Sequence, residues 1–331
     1  MVNRVIGGPA EQLHERHDTD MIERIHCWTR PHSMDTQSLQ AFLSVADNGS
    51  FSLAGEQLHL TQPAVSKRIA TLEDQVGTKL FDRIGRHVAL TEAGRLLLPR
   101  ARQILMMVND SQRALSNLSG DVVGSLIMAT SHHIGLHRLP PLLKAYTQAH
   151  PEVRMDMRFL DSEQAYQQVL EGELEIAVVT LAPVPDPHLT VVPVWIDRLR
   201  FVCGHDHPLA FRNDLALSAL SDYDAVLPGH LTFTRGIVVD TFARDGLKVN
   251  VALSTNYLET LKMMVNIGLG WSVLPETLID EEVKVLPIEH RPIQRPLGYL
   301  VHKNRTLSNA ARSMLTLLDE AREEMARSWS L

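Results

Sequence analysis

Near the start of one short apolar-periodic segment the chain sets Gln62, Ser66 and Lys67, with Arg68 beside them. An amide, a hydroxyl and an ammonium on one outward face are groups that reach base edges and phosphates. The opposite face is Val65, Ile69 and Leu72, which recur at about one helical turn. Thr61 is placed to cap this helix, and Pro63 lies just inside its start, where a missing N–H costs nothing. An upstream helix is predicted, capped by Ser52, with Leu53, Ala54 and Leu58 as its apolar face and His59-Leu60 as the turn between the two. Leu80-Phe81 then packs back, and Arg83, Arg86 and His87 fall on a basic β-ribbon. Two helices, a tight turn and such a ribbon place a helix in the major groove of double-stranded DNA. An ordinary helical pair with a solvated charged face shares some of these features. It does not combine cap, turn, ribbon and charge over about forty residues.

Charge limits the mode of binding. From Met34 to Gly94 five basic residues face seven acidic ones, and the whole chain carries −7. That excludes a sequence-independent DNA coat. The positive groups are concentrated on the second helix and the ribbon, which suits a specific reader whose dimer doubles its contacts. Weak non-specific binding and marked salt dependence are expected.

A second set of polar residues follows predicted strands. Ser131, Asp161-Ser162 and Thr180 lie beyond the carboxyl ends of three strands, where open α/β sheets bind ligands. Thr232, Thr234 and Arg235 open one later helix, and Thr255-Asn256 another. Helix N-termini present free N–H groups and favour carboxylates or other anions, though each hydroxyl would serve equally as a plain cap. The run Ser131-His132-His133, with His137 beyond, invites a metal reading, since His133 and His137 are spaced to share a helix face. Ile134 stands where an HExxH site has Glu, and no Cys is near, so no metal is expected. The alternatives are surface or capping histidines, or an anion held by His132 and His133 with His230 across a cleft. Gly268-Leu269-Gly270 lacks the third Gly of a dinucleotide fingerprint and precedes a strand, so it reads as a turn. GxSxG, GxxxxGK[ST] and a paired-carboxylate signature are missing, so neither catalysis nor a cofactor is expected.

The 331 residues suit two or three domains, and the 44% hydrophobic fraction is ample for real cores. No run of eighteen apolar residues exists, so no transmembrane helix is expected. Cys27 and Cys203 give no disulfide framework and, with no signal peptide at the start, point to the cytoplasm. Residues 1–33, broken by Gly7-Gly8-Pro9 and Pro31, read as a flexible extension or an early start codon. The DNA-binding segment is placed at 34–91 and a long helix at 92–118. Leu97, Ala101, Ile104, Val108 and Leu115 form a seam on that helix which would pair two subunits, or would lie on its own domain. Pro99 marks a kink or the helix's true start. Residues 124–331 alternate strands and helices, as in a mostly parallel sheet. Two lobes are expected, at about 124–196 with 300–331 and at about 197–299.

The segment from Met34 to about Ser116 resembles the winged helix-turn-helix of LysR-type transcriptional regulators. The resemblance rests on Leu39, Phe42, SFSLAGEQL, TQPAVSKRIATLEDQVG, LFDR, Arg86 and LTEAG. Gly55 departs from the family's usual Ala, at a helix cost of roughly 0.5–1 kcal/mol. GSLIMATS, His207-Pro208-Leu209-Ala210 and GLGWSVLP extend the resemblance more weakly. It implies an α/β multidomain chain: a winged helix-turn-helix, a linker helix, and a two-lobed effector domain similar to periplasmic solute-binding proteins. In the family, positions like Ser131 and Thr180 line the effector site, linker helices pair subunits, and dimers pair into homotetramers. Gln62, Pro63, Ser66 and Lys67 would meet the major groove, and Arg86 the backbone or minor groove. The implied protein is a sequence-specific regulator controlled by a small, anionic metabolite. A cytoplasmic solute-binding protein and an enzyme of small organic acids are the competing readings.

Overall fold

The computed structural model describes residues 34–84, 87–290 and 292–328. The expected extension, 1–33, and Arg86 lie outside the described residues. The chain divides into two compact units, Met1–Leu105 and Met106–Leu331.

In the first unit Asp35 caps α1 (Thr36–Asn48), its carboxylate accepting from the Ser38 amide at 2.8 Å. Helix α2 (Phe51–Gln57) is capped by Ser50, not Ser52. The Ser50 hydroxyl accepts from the Leu53 amide, which sets the helix start two residues earlier than expected. Leu53 is therefore 49% exposed, and Phe51 and Ala54 supply the buried face instead. Thr61 caps α3 (Gln62–Val76) through its side chain, with Pro63 in the first turn. Phe42, Phe51, Ala54, Val65, Ile69, Leu72, Leu80 and Phe81 share one core. Strands β1 (Phe81–Ile84) and β2 (His87–Leu90) pair antiparallel as the ribbon. Helix α4 (Glu92–Ser116) runs on through Pro99. Its Leu97 and Ala101 belong to this core, so they are not the open seam that spacing suggested. The exposed apolar residues of α4 are Leu96, Ile104, Met107 and Leu115.

In the second unit β3 (Gly124–Thr130) pairs in parallel with β4 (Val153–Phe159) and β5 (Ile176–Thr180). Ile176 and Val178 face one layer, holding α6 (Pro140–Ala149) and α10 (Asn309–Ser328), while Ala177 and Val179 face α7 (Ser162–Glu171). Alternation of a strand buried on both sides produces this division. Between β3 and α6 lies the short α5 (His132–His137).

Two long strands join the lobes. Strand β6 (Leu189–Cys203) pairs antiparallel along β11 (Ile293–His302). One half of this ladder continues into β5; the other carries β9 (Ser272–Pro275) and β10 (Lys284–Val285). The register shifts between Leu297 and Gly298, opposite Pro193, so the proline sits at a bulge where a lost ladder donor is tolerated. A Cβ on Gly298 would lie 2.0 Å from the Val192 carbonyl oxygen, so the crossing needs glycine. The second lobe adds β7 (Asp224–Leu227) parallel to β8 (Asn250–Ser254), with α8 (Phe233–Arg244) and α9 (Leu258–Asn266). Trp271, stacked on Phe242, centres its core.

Candidate nucleic-acid interface and effector cavity

The outer face of α3 is assembled by what its inner face and ends are bound to. Buried Glu73 accepts from the Leu80 amide at 2.9 Å and meets Lys79 Nζ at 2.7 Å, tying the helix to the ribbon. Gln62, Pro63 and Lys67 are exposed, and Ser66 is half-buried. Gln62 Nε2 donates to Ser66 Oγ at 3.1 Å, so the two polar groups are pre-aligned on one face. Arg68 turns toward α1 and donates to Gln37 Oε1 at 3.0 Å. Ser52 is exposed on α2, one helix away.

A cavity of about 220 Å³ opens between the lobes. Ser131, His132, His133, Ser162, Thr180, Thr232, Thr234 and Asn256 all line it, as do Arg295, Asp161 and Glu163. His230 does not: it is exposed on the loop before α8, outside the lining. Several lining hydroxyls have structural duties. Thr232 caps α8, accepting from the Arg235 amide and donating to the Gly229 carbonyl. Ser162 Oγ accepts from the Thr180 amide at 3.2 Å. Ser131 stands at the N-cap of α5 without making a side-chain capping bond.

The charged centre of the cavity was not read from sequence. Arg295, buried on β11, donates to Asp197 Oδ2 at 2.6 Å and to Thr234 Oγ1 at 3.3 Å, and its Nε is buried without a partner. Arg138 reaches Asp197 Oδ1 at 2.9 Å, and His133 Nε2 lies 3.4 Å from Oδ2. Burial alone would raise the Asp197 pKa, but His133 and the two guanidiniums hold it well below the usual carboxylate range. Burial pushes His133 below its usual value, and Arg295 and His137 add to this against the pull of Asp197. Of this cluster Arg295 lines the cavity together with His133, and among the described residues it is the one guanidinium in the lining. The other lining acids are already engaged: Asp161 accepts from Asn256 Nδ2 at 2.6 Å, and Glu163 from the Phe233 amide at 2.6 Å. Burial raises the Glu163 pKa, and its bond to that amide acts against the rise.

The family model for the LysR substrate binding domain matches residues 119–323, and that for the bacterial regulatory helix-turn-helix protein, lysR family, matches residues 36–95. The chain belongs to the LysR family. It is a LysR-type transcriptional regulator with a DNA-binding helix-turn-helix and an effector-binding domain, not an enzyme. An uncharacterised HTH-type transcriptional regulator of Azotobacter vinelandii, from an ibpB-leuC intergenic region, is 69% identical over 108 residues, covering 33% of this chain and 75% of that protein. A probable RuBisCO transcriptional regulator of Synechocystis is 28% identical over 296 residues, covering 86% and 85%. A full-length OxyR variant from Pseudomonas aeruginosa shares the fold with a TM-score of 0.63 at 21% identity, covering 88% of this chain and 95% of that one.

In this LysR-type chain the signal for Arg295 and Asp197 was weak. Arg295 is a single guanidinium in β11, Asp197 is one of three charges in β6 beside Arg198 and Arg200, and only the pairing of β6 with β11 sets Arg295 opposite Asp197. No described helix is long and apolar enough to cross a membrane.

Proposed function

We propose that the chain reads an operator through Gln62, Pro63, Ser66 and Lys67, and that a small carboxylate-bearing metabolite in the interlobe cavity controls it. The observation that supports the effector class is Arg295. A buried guanidinium with an unpartnered Nε, beside the N-termini of α7 and α8, attracts an anion into a space of about 220 Å³. We place the DNA-binding domain at 34–91, the linker helix at 92–118 and the effector domain at 124–331. The exposed residues of α4 support pairing of two linker helices, with a homotetramer of such dimers in the cytoplasm. Binding shifts lobe closure, and with it the spacing of the reading heads, only as far as the effector prefers one arrangement.

The test has two arms. A thermal-shift screen of small mono- and dicarboxylates should raise the melting temperature, and Arg295→Gln should abolish the response. No response from any anion, or an unchanged one in the variant, overturns the effector class. In a gel shift on DNA upstream of its own gene, Lys67→Ala should weaken binding and lower the salt slope by about one. Loss of effector binding in Lys67→Ala would contradict the division of labour.

A further inference from the structure

Helix α5 in the first lobe and α9 in the second face each other at the edge of the cavity. His133, His137 and Glu259 each bring a ligand atom there, and the three atoms lie within 4.8 Å of one another. His137 Nε2 is 3.0 Å from Glu259 Oε1, the two imidazole centroids are 4.9 Å apart, and His132 Nδ1 is 3.7 Å from Glu259 Oε2. His133 Nε2 faces Asp197 Oδ2 at 3.4 Å, while its Nδ1 is buried without a hydrogen bond. A buried ring nitrogen left unbonded beside a second imidazole and a carboxylate is costly unless something else satisfies it.

We propose that His133, His137 and Glu259 bind a divalent late first-row transition metal ion of the zinc class, across the two lobes. Two imidazoles and one carboxylate select such an ion over calcium or magnesium, which prefer all-oxygen sets. Tetrahedral bonds of about 2.0–2.1 Å put ligand atoms roughly 3.3 Å apart. The His137–Glu259 pair is already near that spacing, and the widest pair needs only a side-chain adjustment. Asp197 lies 3.4 Å from His133 Nε2, as an outer carboxylate does when it orients a ligating histidine, which leaves Nδ1 for the metal. Three protein ligands leave one position for water or for His132. Because the donors come from both lobes, the site is complete only when the lobes are closed, so the ion favours closure by linkage. This goes beyond the anionic effector and needs no effector to be tested.

Tag-free, chelator-stripped full-length protein should be titrated with Zn2+ against a chromophoric chelator. Co2+ should be used in parallel for its visible absorption. One equivalent per chain is expected, with tetrahedral Co2+ intensity. Glu259→Gln and the pair His133→Gln/His137→Gln should each weaken that equivalent by about 100-fold or more, the upper end of what even outer partners contribute. The melting temperature of the metal-free variants checks folding, and Glu259→Gln, nearly isosteric, carries the test if the histidine pair folds poorly. The chain holds sixteen histidines, among them His14, His17, His26 and His32. One-equivalent binding that survives both variants places the ion elsewhere and overturns the assignment, as does the absence of saturable binding.

Discussion

Gly55 shows how one residue reverses its meaning once the fold is known. As a departure from the family's usual Ala it reads as a weak point in a helix. In the structure a Cβ there would lie 2.8 Å from the Leu60 carbonyl oxygen and 3.4 Å from the Gln62 amide nitrogen. Leu60 also donates to the Gly55 carbonyl at 2.8 Å, so this position holds the turn between the two helices. Gly55→Ala should destabilise the chain by about 1–3 kcal/mol through overpacking, read as a lower urea midpoint. A neutral or stabilising outcome would show that the turn yields. Thr61, Val65, Ile69 and Leu72 were legible because cap and periodicity are local signals. Glu73 was not, because its partners are backbone amides of Leu80 and Phe81 beyond the helix end.

Among the elements, α4 is the one whose faces sequence spacing misassigned. Its early residues Leu97 and Ala101 pack into the core of the first unit, while Met107 and Leu115 are 73% and 69% exposed among the described residues. Solvent-exposed apolar side chains in register on a long helix mark a contact surface. Met107→Glu/Leu115→Glu should lower the mass in light scattering from tetramer to dimer and change the unfolding free energy of the separate units by no more than about 0.5 kcal/mol. A tetramer unaffected by both charges would remove this helix from the pairing. Periodicity says which residues are apolar together; it does not say which neighbour will cover them. Strand β6 carries the same lesson. Pro193 interrupts its alternation, and the bulge against Gly298 accommodates it.

Across the whole effector domain the lobes are held by contacts between distant segments: Asp161 with Asn256, Glu163 with the Phe233 amide, and His137 with Glu259. The β6–β11 ladder runs between them, with its register shift at Leu297 and Gly298. Asn256→Ala removes one of these contacts and should populate the open arrangement. The apparent affinity for a retained carboxylate should fall, about tenfold for each 1.4 kcal/mol of bias lost. The radius of gyration should rise. Unchanged affinity and unchanged radius together would show that Asn256 does not bias closure.

The sequence by itself determined the helix-turn-helix, the cap and core face of its second helix, the α/β alternation, and a set of nine effector-site candidates of which eight line the cavity. Those features are written in spacings of a few residues, where the backbone repeat dictates which side chains share a face. Tertiary structure alone decided the charged centre and the candidate metal site. Asp197 meets Arg295 only through strand pairing, His230 falls outside the cavity, and the carboxylate absent from the His133–His137 motif arrives as Glu259 from the other lobe. Such groups are brought together by the crossing of two long strands, and nothing in their local sequence records where that crossing will set them.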